Sequence, residues 1–286
     1  MLKDILLDAI IDTLKIIPFL FLTYLLIEFL EHKAEEKSVD LVNRSGKLGP
    51  VIGSALGIIP QCGFSAATSN LYSGGVITRG TLIAVFLSTS DEMLPIMISK
   101  NISAGLILKI LATKFAAGIL IGLLIDVIER GLSHDHTKHL HDLCEQDDCH
   151  CAGGGIVKPA LIHTAKISLF LLITTAAVSV AVELVGEENL ATFALNKPVA
   201  GELLAGLIGL IPNCAASVII TQLFLDGGMS TGAMLAGLLT GSGVGLLVLF
   251  RMNRKHMKDN LITLAILYVS GVVLGFVAGM LPVWAI

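Results

Sequence analysis

Long apolar segments alternate with short polar ones along this chain of 286 residues. Each apolar segment is about as long as a helix that crosses the roughly 30 Å hydrocarbon layer of a membrane. The first segment continues past Pro18 to Ile27 without a small-residue cleavage site, so we interpret it as an anchor and not as a removed signal peptide. The pattern predicts an all-α polytopic membrane protein with six full spans near residues 5–30, 76–98, 104–129, 160–186, 229–250 and 260–284.

An internal duplication accounts for the order of these segments. Residues 49–95 align without a gap on residues 201–247 with thirteen identities, including the Pro-x-Cys-x-x-Ser pattern at Pro60 and again at Pro212. A repeat of half the chain is typical of duplicated transporters. We therefore divide the chain into a first membrane repeat (1–130), a hydrophilic loop (131–158) and a second membrane repeat (159–286).

Each repeat also contains an apolar segment that is interrupted, near 48–73 and near 199–226. Pro60 and Pro212 remove a backbone donor and clash with the preceding turn, and neighbouring glycines weaken the same turn. Each segment is predicted to form two half-helices with an irregular tip, which hydrocarbon tolerates only where protein or a wet cavity covers it. The alternative is a simple kink in a spanning helix.

The distribution of basic residues separates two topologies. If the broken segments turn back, the basic loops 33–47, 130–158 and 251–258 share one side, while Lys100 and Lys197 stand nearly alone on the other. The positive-inside rule prefers this arrangement. Each repeat then has three spans and one re-entrant pair, so the second repeat is inverted relative to the first. Fully crossing segments would instead give parallel repeats with the loop outside.

Composition narrows the class further. Apolar residues make up 54% of the chain and charged residues 15%, which is typical of an integral membrane protein. The net charge of −4 is small and spread out, and the sequence has no basic stripe of the kind that nucleic acid binding needs. Two cysteines lie in the broken segments and three in the loop, a distribution unlike a secreted disulfide framework. The lipid bilayer is the expected partner and nucleic acid is excluded.

The two tips supply the first candidate substrate ligands. Polar side chains inside an apolar protein must either form hydrogen bonds within the protein or bind a ligand. Here thiol, amide and hydroxyl groups recur in both repeats at one spacing, which places the thiol and hydroxyl groups on a common helix face. Small polar residues also let helices pack closely, which is the structural alternative. The candidates are Gln61, Cys62 and Ser65 in the first repeat and Asn213, Cys214 and Ser217 in the second.

Carboxylates distinguish the first repeat from the second. Asp91 and Glu92 fall inside an apolar run, whereas the second repeat has Gly243 and Val244 there. A charge inside a membrane helix costs roughly 2.5–3.5 kcal/mol on insertion scales. We predict that these carboxylates contribute to a cation site or a proton relay; the alternative is pairing with Lys100 or Lys109 at a span end.

The hydrophilic loop carries the densest group of metal-ligating side chains. Histidine and cysteine at such density bind soft or borderline ions, although the spacing is not that of a zinc finger. We expect the loop to be a flexible cytoplasmic metal collector or sensor. The alternative is a solvated linker that only joins the two halves. Its candidate ligands are His134, His136, His139, His141, Cys144, Cys149, His150 and Cys151.

Several of these motifs also resemble a known family. The runs Ile-Pro-Gln-Cys-Gly-Phe-Ser and Ser-Thr-Ser-Asp-Glu-Met-Leu-Pro, the His/Cys loop and the Ile-Pro-Asn-Cys-Ala-Ala-Ser echo are similar to bacterial and archaeal ten-helix heavy-metal exporters, named arsenic efflux proteins or manganese transporters. The resemblance covers essentially the whole chain, and its motifs contain the tip residues and carboxylates named above. It implies export of a metal or metalloid across the cytoplasmic (inner) membrane.

The resulting prediction is a secondary transporter, and not an enzyme, that exports a divalent metal by alternating access. Carboxylate and amide oxygens suit manganese, which we place first, while thiols favour zinc, copper(I) or arsenite. No phosphate-binding loop motif is present, so protons are the expected counter-ion, carried by Asp91 or Glu92. No bound cofactor is implied beyond the cargo, and two copies could associate as a homodimer. The rivals are a thiol oxidoreductase using Cys62 and Cys214, and a metal sensor that transports nothing.

Overall fold

The computed structural model describes residues 2–33, 48–90, 92–131, 157–185 and 199–281. Within these ranges the chain is helical and forms no strand, which confirms the all-α prediction. The helices are α1 (Leu2–Lys33), α2 (Gly49–Gly57), α3 (Cys62–Ser73), α4 (Arg79–Ser88), α5 (Met93–Ser99), α6 (Ala104–Gly131), α7 (Val157–Val185), α8 (Ala200–Gly209), α9 (Cys214–Leu225), α10 (Thr231–Thr240), α11 (Gly245–Met252) and α12 (Met257–Met280), with a 3-10 turn at Arg254–His256 before α12.

The two halves repeat one order of elements: a long helix, two pairs of short helices and a second long helix. Equivalent hydroxyls cap equivalent helices, since the side-chain oxygen of Thr78 accepts from the amide of Thr81 before α4 and that of Ser230 accepts from Ala233 before α10. The preceding turns both use a left-handed glycine, at Gly75 and Gly227. The sequence duplication therefore extends to local structure.

Six segments are long and apolar enough to cross a membrane, in agreement with the predicted number. Two of them are not continuous helices, contrary to the sequence analysis. Between α4 and α5 the backbone leaves the helical conformation at Thr89 (ψ 126°), and between α10 and α11 it does so at Gly241 (ψ 101°). A polar run that includes Ser90 and Glu92 interrupts one helix, and a glycine-rich run interrupts the other.

These two divided spans form the centre of the molecule. In their span windows, 71% and 83% of residues are buried, against 28–39% in the four uninterrupted spans. The helices α4 and α10 pack against α6 and α12, and also against α2 and α8, while α1 and α7 pair with each other. The uninterrupted spans therefore present apolar faces outward, as expected for contact with lipid.

Contacts at the ends of α12 fix where the central helices start. Arg79, the first residue of α4, pairs with Asp259 in the first turn of α12 at 3.6 Å, and also with Glu129 near the end of α6. Gly232, at the start of α10, packs instead against Gly279 near the end of α12. The equivalent helices α4 and α10 thus begin at opposite ends of α12.

Candidate functional site

Both proline-containing segments are broken helices. The first ends at Gly57 and restarts at Cys62, and the second ends at Gly209 and restarts at Cys214. In each gap the residue before the cysteine is extended, and its amide donates to the carbonyl two residues earlier, 2.8 Å for Gln61 and 2.7 Å for Asn213. The irregular tips predicted around Pro60 and Pro212 are present.

The two tips meet. Cys62 Sγ and Cys214 Sγ lie 3.1 Å apart, although 152 residues separate them along the chain. Each cysteine is the first residue of its helix, so the positive ends of the α3 and α9 dipoles converge on the pair. The structure therefore brings the two sequence-predicted thiols together at the junction of the two repeats.

Equivalent long helices hold the tips in place. The side-chain amide of Gln61 donates to the carbonyl of Lys15 on α1 at 3.1 Å. The amide of Asn213 donates to the hydroxyl of Ser179 on α7 at 2.7 Å, and its oxygen caps α9 at the amide of Ala215. Any displacement of α1 and α7 relative to the centre would therefore pull on both tips.

The hydroxyl groups of the two predicted serines donate hydrogen bonds to carbonyls of their own helices. Ser65 Oγ donates to the carbonyl of Cys62 at 2.9 Å and Ser217 Oγ to that of Cys214 at 2.8 Å. Ser65 is fully buried, whereas Ser217 reaches a small internal cavity. Of the two serines, only Ser217 is placed where a ligand could contact it.

A cleft of about 680 Å³ opens beside the thiol pair. Cys62, Cys214 and Asn213 line it together with the carboxylate residues Asp12 and Glu92. Lys15 also lines it, forms an ion pair with Asp12 at 3.2 Å, and is close enough to Glu92 and Cys62 to interact with them electrostatically. Soft sulfur, amide and carboxylate groups thus share one opening with a basic side chain.

A second cavity lies behind Asn213, which lines both spaces. It measures about 10 Å³, room for one water molecule or small ion. Thr89, Ser90, Lys114 and Ser217 also line it, as do glycines from the gap between α10 and α11. This cavity lies where three of the helix breaks adjoin.

Some predicted residues lie outside the described part of the chain. Asp91 falls in the gap between residues 90 and 92, and the loop ligands from His134 to Cys151 fall in the gap between residues 131 and 157. Among the residues that the structure describes, no three His, Cys, Asp or Glu side chains are placed to hold a metal ion together. An ion in the cleft would therefore need amide oxygens, backbone carbonyls or water to complete its coordination, or a closer approach of the carboxylates.

Three residues of the site were not singled out from the sequence. Asp12 and Lys15 belong to α1, whose apolar pattern suggested a membrane anchor. Lys15 recurs as Lys166 at nearly the same place in the second repeat, but that repetition supported only the duplication and not a role at the tips. Lys114 did carry a signal, because an ionisable residue in the middle of an apolar run marks a functional position by default. It is 1% exposed, so the structure identifies it as an intramembrane charge.

Comparisons with known proteins give a match to a family model. The family model described as "Putative, 10TM heavy-metal exporter" matches residues 1–182. No curated protein and no solved structure matches the chain. The described helices can be counted as ten: four uninterrupted spans, two divided spans counted once each, and two helices at each of the two broken tips.

Proposed function

Because the chain belongs to this family of heavy-metal exporters, we propose that it is a secondary transporter that exports a divalent transition metal, with manganese as the first cargo. The observation that carries the proposal is the shared cleft. Both broken-helix tips and the carboxylate residues Asp12 and Glu92 line it. Carboxylate and amide oxygens are the ligands that manganese prefers.

We propose further that the two repeats are inverted in the membrane. The support comes from α12, a single uninterrupted helix of 24 residues. Arg79 at the start of α4 lies at the beginning of α12, and Gly232 at the start of α10 lies near its end. Two equivalent helices that start at opposite ends of one neighbour run in opposite directions. Parallel repeats would place both starts at the same end.

Alternating access would use the division of the molecule into a central and a peripheral part. The helices α1 and α7 pack together, and each binds one tip through Gln61 or Asn213. A rocking motion of this pair against α4, α6, α10 and α12 would move the tips and open the cleft to one side at a time. Protons would serve as counter-ion, with Asp91 or Glu92 as the carrier.

A specific observation favours a second cargo. Two thiols 3.1 Å apart form a better site for a thiophilic species such as arsenite than for manganese. In that case the cysteines would be the principal ligands, and the carboxylates would serve only for coupling.

Transport by purified protein in proteoliposomes tests both cargoes. Manganese, zinc and arsenite are compared for the wild type, Glu92→Gln, Asp91→Asn and the double variant Cys62→Ser/Cys214→Ser. We expect manganese movement in the wild type, a loss of about tenfold or more in either carboxylate variant, and partial activity in the double serine variant. Arsenite movement that needs both cysteines and survives Glu92→Gln would establish the second cargo instead.

The matched control is Glu202→Gln, which removes a buried carboxylate at the start of α8 that does not line the cleft. It should export at close to the wild-type rate. If the folded wild-type protein moves none of the three ions, the transporter proposal fails and a sensor remains. If the wild type moves no ion but catalyses thiol–disulfide exchange, and Cys62→Ser abolishes that exchange, the thiol oxidoreductase is supported.

A further inference from the structure

Lys114 is the most deeply buried cation that the structure describes. Its side chain lies in the middle of α6 and is 1% exposed. The ammonium group donates to the carbonyl oxygen of Leu238 at 2.6 Å, a partner 124 residues away on α10. A lysine inside hydrocarbon costs about 2.5–3.5 kcal/mol on insertion scales, so an ordinary packing role would be filled at lower cost by an apolar residue.

The partner carbonyl belongs to the C-terminal end of a broken helix. Leu238 lies in the last turn of α10, which stops at Thr240, and the last carbonyls of a helix have no amide partner within it. These oxygens carry the negative end of the helix dipole. In transporters with discontinuous helices, such carbonyl ends bind the coupling cation. The ammonium of Lys114 thus lies where a transporter of that kind, without this lysine, would bind Na⁺.

Other oxygens around the ammonium fit the same interpretation. The small cavity beside Lys114 is lined by Thr89, Ser90 and Ser217, and Asn213 joins it to the cargo cleft. Hydroxyl and carbonyl oxygens are ligands for a hard monovalent cation as well as for an ammonium group.

We propose that Lys114 is a built-in substitute for a bound Na⁺ ion: its ammonium permanently occupies the cation position at the end of α10, so metal export proceeds without Na⁺. This rests on the proposed transport function and adds to it the residue that makes export independent of Na⁺. Gly118 and Gly122 of α6 correspond to Gly271 and Gly275 of α12, so the second repeat has Leu267 at the position equivalent to Lys114, and the duplication supplies the charge only once.

A role as a simple helix cap makes a different prediction. A cap needs only a donor to the carbonyl of Leu238, which a glutamine could supply without charge. A substitute for Na⁺ needs the charge, which arginine retains. An alanine at this position would leave space in which Na⁺ could replace the ammonium.

The experiment measures metal export in proteoliposomes prepared with NaCl or with choline chloride. Wild-type export should be equal in the two salts. Lys114→Ala should lose about tenfold in choline and regain most of the loss in Na⁺, and Lys114→Gln should stay low in choline while Lys114→Arg stays active. Lys109→Ala, an exposed lysine on the same helix, is the matched control and should be equal in both salts.

Several results would overturn the proposal. They are Na⁺-stimulated export by the wild type, full activity of Lys114→Gln in choline, or a folded Lys114→Ala that Na⁺ does not restore. If Lys114→Ala does not fold, the wild-type salt dependence and the glutamine and arginine variants still decide the question. Absence of metal movement in the wild type would be a failure of the transport function itself and is distinguishable from these outcomes.

Discussion

At the scale of single residues, glycine allows the central helices to touch. Gly275 on α12 faces Ala236 on α10, and a β-carbon added to the glycine would lie 2.6 Å from both the amide nitrogen and the β-carbon of that alanine. Backbone atoms cannot move aside as a flexible side chain can. In a membrane, where helix association depends on close packing, this contact contributes directly to stability.

Gly275→Ala should therefore lower the stability of the folded protein by about 1–3 kcal/mol. The measurement is thermal unfolding in detergent. Gly105→Ala on α6 is the matched control, because an added β-carbon there meets no atom within 4 Å. Its stability should be unchanged or slightly higher, since alanine favours helix more than glycine does. Equal stability of the two variants would contradict the packing explanation.

At the scale of elements, the tips act as a pair. The helices α3 and α9 begin at cysteines whose sulfur atoms are 3.1 Å apart, so about 1 Å of movement would bring them to the length of a disulfide bond. A covalent link there would prevent the tips from separating. If transport needs that separation, the link would stop it.

Copper-phenanthroline oxidation should join Cys62 to Cys214 once Cys144, Cys149 and Cys151 have been replaced by serine. The sulfurs lose two electrons and two protons to dioxygen, which gives hydrogen peroxide, and the S–S bond forms. We expect a linked peptide in mass spectrometry, loss of metal export, and recovery of export with dithiothreitol.

Cys214→Ser in the same background is the control, and oxidation should leave its remaining export unchanged. Failure to form the linked peptide would contradict the observed proximity. A fully linked protein that transports at the unlinked rate would show that the tips do not separate during export.

At the scale of the whole molecule, an ion-pair cluster joins the two halves at one end. Arg79 on α4 pairs with Glu129 on α6 and with Asp259 on α12, and also donates to the hydroxyl of Tyr72. The Arg79 and Glu129 side chains are each 11% exposed. Removal of the arginine would leave two carboxylates close together with little water to solvate them.

Arg79→Ala should destabilise the protein by about 3–5 kcal/mol, the usual cost of breaking a buried ion pair from one side. Thermal unfolding in detergent measures the change. Arg254→Ala, an exposed arginine just before α12, should change stability by less than about 0.5 kcal/mol. A small effect of Arg79→Ala would mean that water reaches the cluster.

The inverted arrangement also makes a prediction about sides of the membrane. Lys100 and Lys258 are both exposed, and inverted repeats place them on opposite sides, whereas parallel repeats place them on the same side. Single cysteines at these positions, with all five native cysteines replaced by serine, would be labelled by an impermeant maleimide. In intact cells we expect Lys100→Cys to react and Lys258→Cys to react only after permeabilisation.

Local chemistry determined what could be predicted from the sequence alone. Apolar length predicted the six spans, the duplication predicted two equivalent halves, and Pro60 and Pro212 predicted the two tips, since each feature depends on residues that are close together in the chain. The division of the spans at Ser88–Glu92 and at Gly241–Val244 was missed, because neither run contains the proline that marked the tips.

Only the tertiary structure decided which distant groups meet. It placed Cys62 against Cys214, brought Asp12 and Glu92 to the same cleft, and set Lys114 on the carbonyl of Leu238. These contacts depend on how helices separated by 80 or more residues pack. Helix packing follows from the shapes of whole faces, which no local pattern specifies. The sequence by itself determined the apolar spans and the two proline breaks, and packing determined which residues form the site.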